Sequence, residues 1–264
     1  MRTALTIAGS DSGAGAGIQA DLKTFAAHGV YGTSAVTAVT AQNTRGVTAW
    51  EALPVTLVLA QIEAVVEDIG VNAVKIGMIA NASIARAVAD ILERLALPHV
   101  VIDPVMIAKG GDRLVEAEAV DALRTELLPR AHVVTPNIPE AEVLAGIAVR
   151  SLDDMHRAGG RILALGPRVV LIKGGHLEGN ESVDVACTAS GDFEIRGPRI
   201  LTRHTHGTGC TLSSAIAANL ALGYSDREAI NGARAYLEGA IRHAPGIGQG
   251  HGPLDHFWRG ILEG

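Results

Sequence analysis

The segment Thr205-His206-Gly207-Thr208-Gly209-Cys210-Thr211 stands directly before an apolar helical pattern. Glycines at a helix start let unpaired backbone N–H groups converge on an anion, and the helix dipole adds partial positive charge there. The competing reading is a glycine-rich turn that only caps the helix. His204, His206 and Cys210 also suggest a metal, but the remaining spacing lacks a second ligand pair, which argues against zinc. Cys210 alone reads as a small buried hydrophobe. At a helix N-terminus its thiolate is favoured instead. Lys173 follows the apolar run 169–172. A cation there is costly to bury without an anion, and a phosphate would satisfy it. Asp103 and Glu140 end or follow strands, and each taken alone reads as a solvated loop acid.

Gly15-Ala16-Gly17-Ile18-Gln19-Ala20 matches a dinucleotide fingerprint with alanine in the third glycine position. The second strand ends in Gln42-Asn43, however, where such an enzyme places an acid for the ribose. No lysine stands in a GxxxxGKS or GxxxxGKT loop, so the P-loop motif is excluded. Met78 beside Gly77 reads as core packing. An anion nest, a lysine and two acids without a P-loop are compatible with an ATP-dependent small-molecule kinase.

The elements that must hold these residues alternate between strand-like and helix-like. Apolar runs at 3–8, 31–41, 73–76, 99–102, 132–135 and 169–172 predict strands. Helical spacing predicts helices over 15–28, 54–68, 83–96, 116–128, 139–144, 152–165, 208–222 and 226–242. Segments 183–188 and 193–196 read as a local hairpin around Ser190-Gly191. The repeated β-α order predicts an α/β fold with a mainly parallel sheet covered by helices on both faces. No internal repeat or linker is evident, so one domain over 1–264 is expected. If the strands are parallel, Gly9-Ser10-Asp11, Gln42-Asn43, Gly77-Met78, Asp103-Pro104, Asn137 and Lys173-Gly174-Gly175 share one edge. Ligands bind at that edge in such folds.

Composition narrows the function. Of 264 residues 48% are hydrophobic, which supplies a core and excludes a disordered chain. Aromatics make up 3%, too few for a base-stacking surface. The net charge of −6, with no run of like charge, gives no reason to expect nucleic acid or an acidic membrane as a partner. Cys187 and Cys210 form no CxxC pair, which fits a reducing cytosol. Asp11 interrupts the early apolar stretch, which argues against a signal peptide. No apolar run reaches the ~18 residues of a membrane span.

Seven segments together carry a family resemblance. Residues 8–24 read AGSDSGAGAGIQADLKT, 41–47 AQNTRGV, 75–78 KIGM, 103–106 DPVM, 135–140 TPNIPE, 173–176 KGGH and 205–213 THGTGCTLS. In this order, and through Gly250-His251-Gly252-Pro253, the chain resembles the hydroxymethylpyrimidine/phosphomethylpyrimidine kinases of thiamine biosynthesis, in the ribokinase-like superfamily. Ser12 and Gly13 stand where many relatives have a proline in the first loop.

The resemblance implies a ribokinase-like fold, a cytoplasmic enzyme and a homodimer. It implies ATP-dependent phosphorylation of the hydroxymethyl group of 4-amino-5-hydroxymethyl-2-methylpyrimidine, then of the resulting phosphate. Gln42 would read the aminopyrimidine edge with its donor and acceptor. Gly9, Asp21, Met78 and Val105 would complete the substrate pocket. The backbone of Gly207, Thr208, Gly209 and Cys210 would hold the moving phosphoryl oxygens. Lys173 would neutralise ATP phosphate charge. Asn137 and Glu140 would position Mg²⁺ through water, with Asp103 in the same network. Cys210 would take the hydroxyl proton. Residues 108–112 are the expected loop over ATP. The alternatives are a pyridoxal or pyridoxine kinase and a non-catalytic vitamin-binding relative.

Overall fold

The computed structural model describes residues 1–106, 117–175 and 181–260. The expected nucleotide loop at 108–112 lies outside the described residues. A nine-stranded sheet runs in the order β3-β2-β1-β4-β5-β6-β7-β8-β9. Its strands are β1 (Thr3–Asp11), β2 (Tyr31–Asn43), β3 (Gly46–Ala52), β4 (Ala73–Ile76), β5 (Val100–Ile102), β6 (Val133–Val134), β7 (Val169–Ile172), β8 (Glu181–Thr188) and β9 (Phe193–Pro198). The stretch from β2 through β7 is parallel, and β3, β8 and β9 pair antiparallel at the two edges.

Both faces are buried, which is why the central strands read as continuous apolar runs. Alternate residues of one strand enter different cores. Val170 and Ile172 face one, Val169 and Leu171 the other. The first core is covered by α2 (Val55–Asp68), α3 (Ala82–Arg94), α4 (Ala117–Ala122), α5 (Ile138–Ala145) and α6 (Leu152–Leu163). The second is covered by α1 (Gly17–Ala27), α7 (Thr208–Ala221) and α8 (Asp226–Arg242). Every residue of α7 from Thr211 to Ala221 is buried. A helix that is apolar on all sides sits inside the molecule, and α7 packs against both α1 and α8. Its first turn is therefore held rigidly.

Two elements depart from the sequence reading. The helix expected over 116–128 is described from Ala117, passes through a π-turn at Leu123–Leu127 and ends in a 3-10 turn at Leu128–Arg130. Pro129 gives the physical reason, since proline cannot continue the α-helical ladder. Strand β3 has no counterpart in the sequence reading. It is an edge strand exposed over most of its length, so the alternation that marks a half-buried strand is absent.

Candidate active site

The carboxyl ends of β1, β2, β4, β5, β6 and β7 open into one cavity of about 1040 Å³. Gly9, Gln42, Met78, Val105, Asp103, Asn137, Glu140, Lys173 and residues 207–210 all line it. The parallel sheet thus gathers on one edge what the sequence scatters over more than half the chain.

The residues expected to form an anion nest fall at the start of α7. Its N-cap is Gly207 at φ 83°, and no side chain caps the helix. A helix leaves its first N–H groups without intrahelical partners. Among the described residues no side chain caps them; Thr208 N–H donates to Thr205 O at 3.4 Å, and residues 207–210 line the cavity. A β-carbon on Gly209 would lie 2.9 Å from Asp103 Oδ2 and 3.4 Å from Lys173 Nζ. Glycine is what lets that ion pair sit against the nest.

Lys173 Nζ donates to Asp103 Oδ1 at 2.9 Å. Burial pulls the ammonium down, but the Asp103 and Glu140 carboxylates outweigh it and raise its pKa. Burial pushes Glu140 up to about 7, against Lys173 and with Asp103 adding to the rise. Two buried acids therefore share one ammonium. The Asn137–Glu140 spacing turns out to be a capping box on α5. Asn137 N–H donates to Glu140 Oε2 at 2.8 Å, and Glu140 N–H donates to Asn137 Oδ1 at 2.9 Å. This local signal is legible in sequence. It fixes the Glu140 carboxylate at the cavity wall. A hard divalent cation fits the surplus of buried carboxylate charge and the all-oxygen donors of Asp103 and Glu140.

Asp21 is placed differently from the expectation. It does not line the cavity but lies fully buried beneath it. Its Oδ2 accepts from Lys75 Nζ at 2.8 Å and from Thr6 Oγ1 at 2.6 Å, and its Oδ1 accepts from Ser214 Oγ at 2.7 Å. With four such groups satisfying one another, Asp21 has no oxygen to spare for a ligand. Lys75, which the sequence reading passed over, is fully buried yet reaches the cavity wall. A lysine inside the apolar run Ala73–Ile76 was the available signal.

Burial pushes the Cys210 thiol up to about 11, although Lys75 and the Gly17 N–H favour the thiolate. At neutral pH the resting thiol keeps its proton. The other cysteine, Cys187, is buried away from the cavity and pushed up to about 12 by burial and by Asp192.

Gln42 is tied to a second pair the sequence reading did not assemble. His206 Nε2 lies 2.9 Å from Asp11 Oδ2 and 3.3 Å from Gln42 Nε2. Burial pushes the Asp11 carboxyl up, but His206 and the N–H groups of Ala16 and Gly13 hold it below the usual value. An ionised Asp11 makes His206 Nε2 a donor. The two orientations of an amide are nearly isosteric. As placed, Gln42 Oε1 accepts from Thr40 Oγ1 at 3.1 Å; turned over, its NH2 would donate to Thr40 Oγ1, which itself donates to Ser10 O at 2.9 Å, and its oxygen would share the His206 Nε2–H with Asp11. One N–H and one oxygen lone pair then remain for a ligand.

Comparison with known proteins gives a consistent picture. The sequence model for phosphomethylpyrimidine kinase matches residues 11–255. A hydroxymethylpyrimidine/phosphomethylpyrimidine kinase of Rhizobium meliloti is 53% identical over 261 residues, covering 97% of this chain and 97% of that protein. The crystal structure of a phosphomethylpyrimidine kinase from Clostridium difficile superposes with a TM-score of 0.82 at 48% identity, over 91% of this chain and 100% of that one. The ADP complex of Bacillus subtilis pyridoxal kinase superposes with a TM-score of 0.91 at 39% identity, over 97% of each chain.

Proposed function

The chain belongs to the phosphomethylpyrimidine kinase family, and from that premise we propose that it phosphorylates 4-amino-5-hydroxymethyl-2-methylpyrimidine with ATP, first to the monophosphate and then to the diphosphate, in thiamine biosynthesis. The observation that carries this reading is one cavity holding an uncapped helix start, a lysine and two buried acids opposite a glutamine amide. The higher identity to the pyrimidine kinases than to pyridoxal kinase favours this substrate over pyridoxal.

Each residue has a task in this reading. Gln42 presents a donor and an acceptor to the aminopyrimidine edge, and Gly9, Met78 and Val105 shape the surrounding wall. Backbone N–H groups of residues 207–210 meet the phosphoryl oxygens as charge develops, the main requirement in phosphoryl transfer. Lys173 has ammonium hydrogens beyond the one given to Asp103 and offers them to ATP phosphate. Bound Mg²⁺ would supply charge neutralisation beside Asp103 and Glu140, with Asn137 holding the Glu140 backbone. Cys210 accepts the hydroxyl proton in the first step. The thiol must first lose its own proton, so the small thiolate fraction limits that step. Asp21 acts from beneath the cavity rather than on the substrate.

The same reading takes the chain as one catalytic domain, cytoplasmic and homodimeric. One continuous sheet across the described residues supports the first, and two free cysteines suit a reducing compartment. No helix among the described residues is long and apolar enough to cross a membrane.

The deciding experiment incubates the protein with ATP, Mg²⁺ and the hydroxymethylpyrimidine and follows product masses. Sequential gain of one and then two phosphoryl groups is expected. Turnover of pyridoxal with none of the pyrimidine would overturn the substrate assignment.

A further inference from the structure

We infer that the buried Lys75 ammonium is a positioning residue for Cys210: it stabilises the Cys210 thiolate from one helical turn beneath the sulfur. This rests on the reading of Cys210 as the proton acceptor, but the linkage between the two residues can be tested without it.

The geometry is a two-rung ladder between α1 and α7. Gly17 and Asp21 are four apart on α1, and Cys210 and Ser214 are four apart on α7. Residues four apart lie on one helix face. The lower rung is the Ser214–Asp21 hydrogen bond at 2.7 Å. The upper level pairs the start of α1 at Gly17 with Cys210. Lys75 enters from β4 and binds Asp21 Oδ2 at 2.8 Å, so its charge sits on the lower rung. One turn rises about 5.4 Å. Over such a spacing inside a protein a unit charge still acts on a neighbouring titration, and the Asp21 carboxylate offsets part of the Lys75 effect at Cys210.

Space around the ammonium is kept deliberately small. A β-carbon on Gly77 would lie 2.6 Å from Lys75 Nζ and 3.0 Å from the Ala8 β-carbon. A fully buried lysine is costly, and a merely structural ion pair has no need to reach a ligand cavity. Lys75 does both.

The charged groups acting on Cys210 come from four elements. Lys75 on β4 favours the thiolate, while Asp21 on α1 and Asp103 after β5 oppose it. Lys173 after β7 is coupled to Cys210 as well. Asp103 is already engaged with Lys173 at 2.9 Å. Both cations are held protonated by a carboxylate, Lys173 by Asp103 and Lys75 by Asp21, and Lys75 is the one that acts on the thiolate most strongly.

The test is alkylation of Cys210 by neutral iodoacetamide, followed by peptide mass so that Cys187 is scored separately. Below the thiol pKa the rate follows the thiolate fraction. A higher-pKa thiolate is more nucleophilic, so a rise of one to two pH units appears as a fall of about 3- to 10-fold. Lys75→Met should show that fall at about pH 8, and the alcohol phosphorylation should slow with little change in either KM. Because Lys75→Met strands a buried carboxylate, Asp21→Asn/Lys75→Met is the paired variant. It removes both charges and keeps the Thr6 and Ser214 hydroxyls as hydrogen-bond partners of residue 21. It should alkylate more slowly than the parent too. Thr6→Val, which loosens Asp21 without altering charge, should alkylate within about twofold of the parent. Alkylation at the parental rate in folded Asp21→Asn/Lys75→Met, or an equal slowing in Thr6→Val, would overturn the inference. Absence of pyrimidine kinase activity in the parent would instead sink the functional reading and leave the alkylation result standing.

Discussion

A β-carbon on Gly207 would lie 1.9 Å from the carbonyl oxygen of Gly15. The loop after β1 and the start of α7 are therefore in backbone contact, at a residue with φ 83°. The loop proposed to face the substrate and the helix start proposed to hold phosphate are thus held together. Gly207→Ala cannot be relieved by a side-chain rotation, and left-handed backbone costs an alanine about 1–2 kcal/mol besides. We expect a lower Tm and a loss of kcat/KM of about 100-fold or more, since a misplacement of ~1 Å at a reacting centre costs that much. Thermal melts and steady-state kinetics check it. Parental kinetics in the variant would show that the nest tolerates displacement.

With Cys210 as the proposed proton acceptor, the two phosphorylations should differ in pH dependence. With its thiol near 11, the thiolate fraction grows about tenfold per pH unit below that value. The alcohol step should rise with that slope between about pH 7 and pH 9. The monophosphate acceptor has a second pKa of ~6 and is already ionised, so its step should be flat there. Cys210→Ala should cost the alcohol step about 10²–10⁴-fold and the phosphate step much less. Cys210→Asp should restore part of the alcohol step and flatten its slope. Single-turnover assays on each acceptor read this directly; equal losses in both steps would assign Cys210 to geometry.

Glu140 links stability to pH through its raised pKa. Its folded value of about 7 lies above the ordinary 4.5. The folded protein therefore holds this proton more tightly than the unfolded chain. That contribution is complete below 4.5 and is lost as pH rises through 7. Glu140→Gln imitates the protonated form. Without added metal it should melt higher than the parent at about pH 8, with the difference fading towards about pH 5. Mg²⁺ should raise the parental Tm more than that of Glu140→Gln. Melting curves at both pH values decide, and a variant less stable at the higher pH would reverse the sign.

Gln42 should separate pyrimidine from nucleotide. Gln42→Leu keeps the volume but leaves polar ring atoms unpaired, at about 1–3 kcal/mol per bond lost. Pyrimidine kcat/KM should drop about tenfold or more, and the KM for ATP should hardly move. An unchanged pyrimidine kcat/KM removes Gln42 from the site.

How much of this was legible before folding follows from the range of each interaction. The strands Ala73–Ile76 and Val169–Ile172 announced themselves because both their faces are buried. The β-α order then put Gln42, Asp103, Asn137 and Lys173 on one edge. The helix start at Gly207 and the Asn137–Glu140 box were equally local, since a cap is set within one turn. Strand β3 left no such trace, because exposed edge residues need no pattern.

Charge pairing was decided only by the tertiary structure. Lys75 meets Asp21 across 54 positions, Lys173 meets Asp103 across 70, and His206 meets Asp11 across 195. The sequence displayed Asp21, Lys173, Asp103 and His206 as separate candidates for ligand contact and gave no role to Lys75 or Asp11. Which of them bind ligand and which bind each other depends on distance and burial, because a buried charge must find its partner within a few ångströms. Asp21 therefore became the anchor of Lys75 rather than a wall of the pocket, and Lys75 reached the cavity that Cys210 also lines.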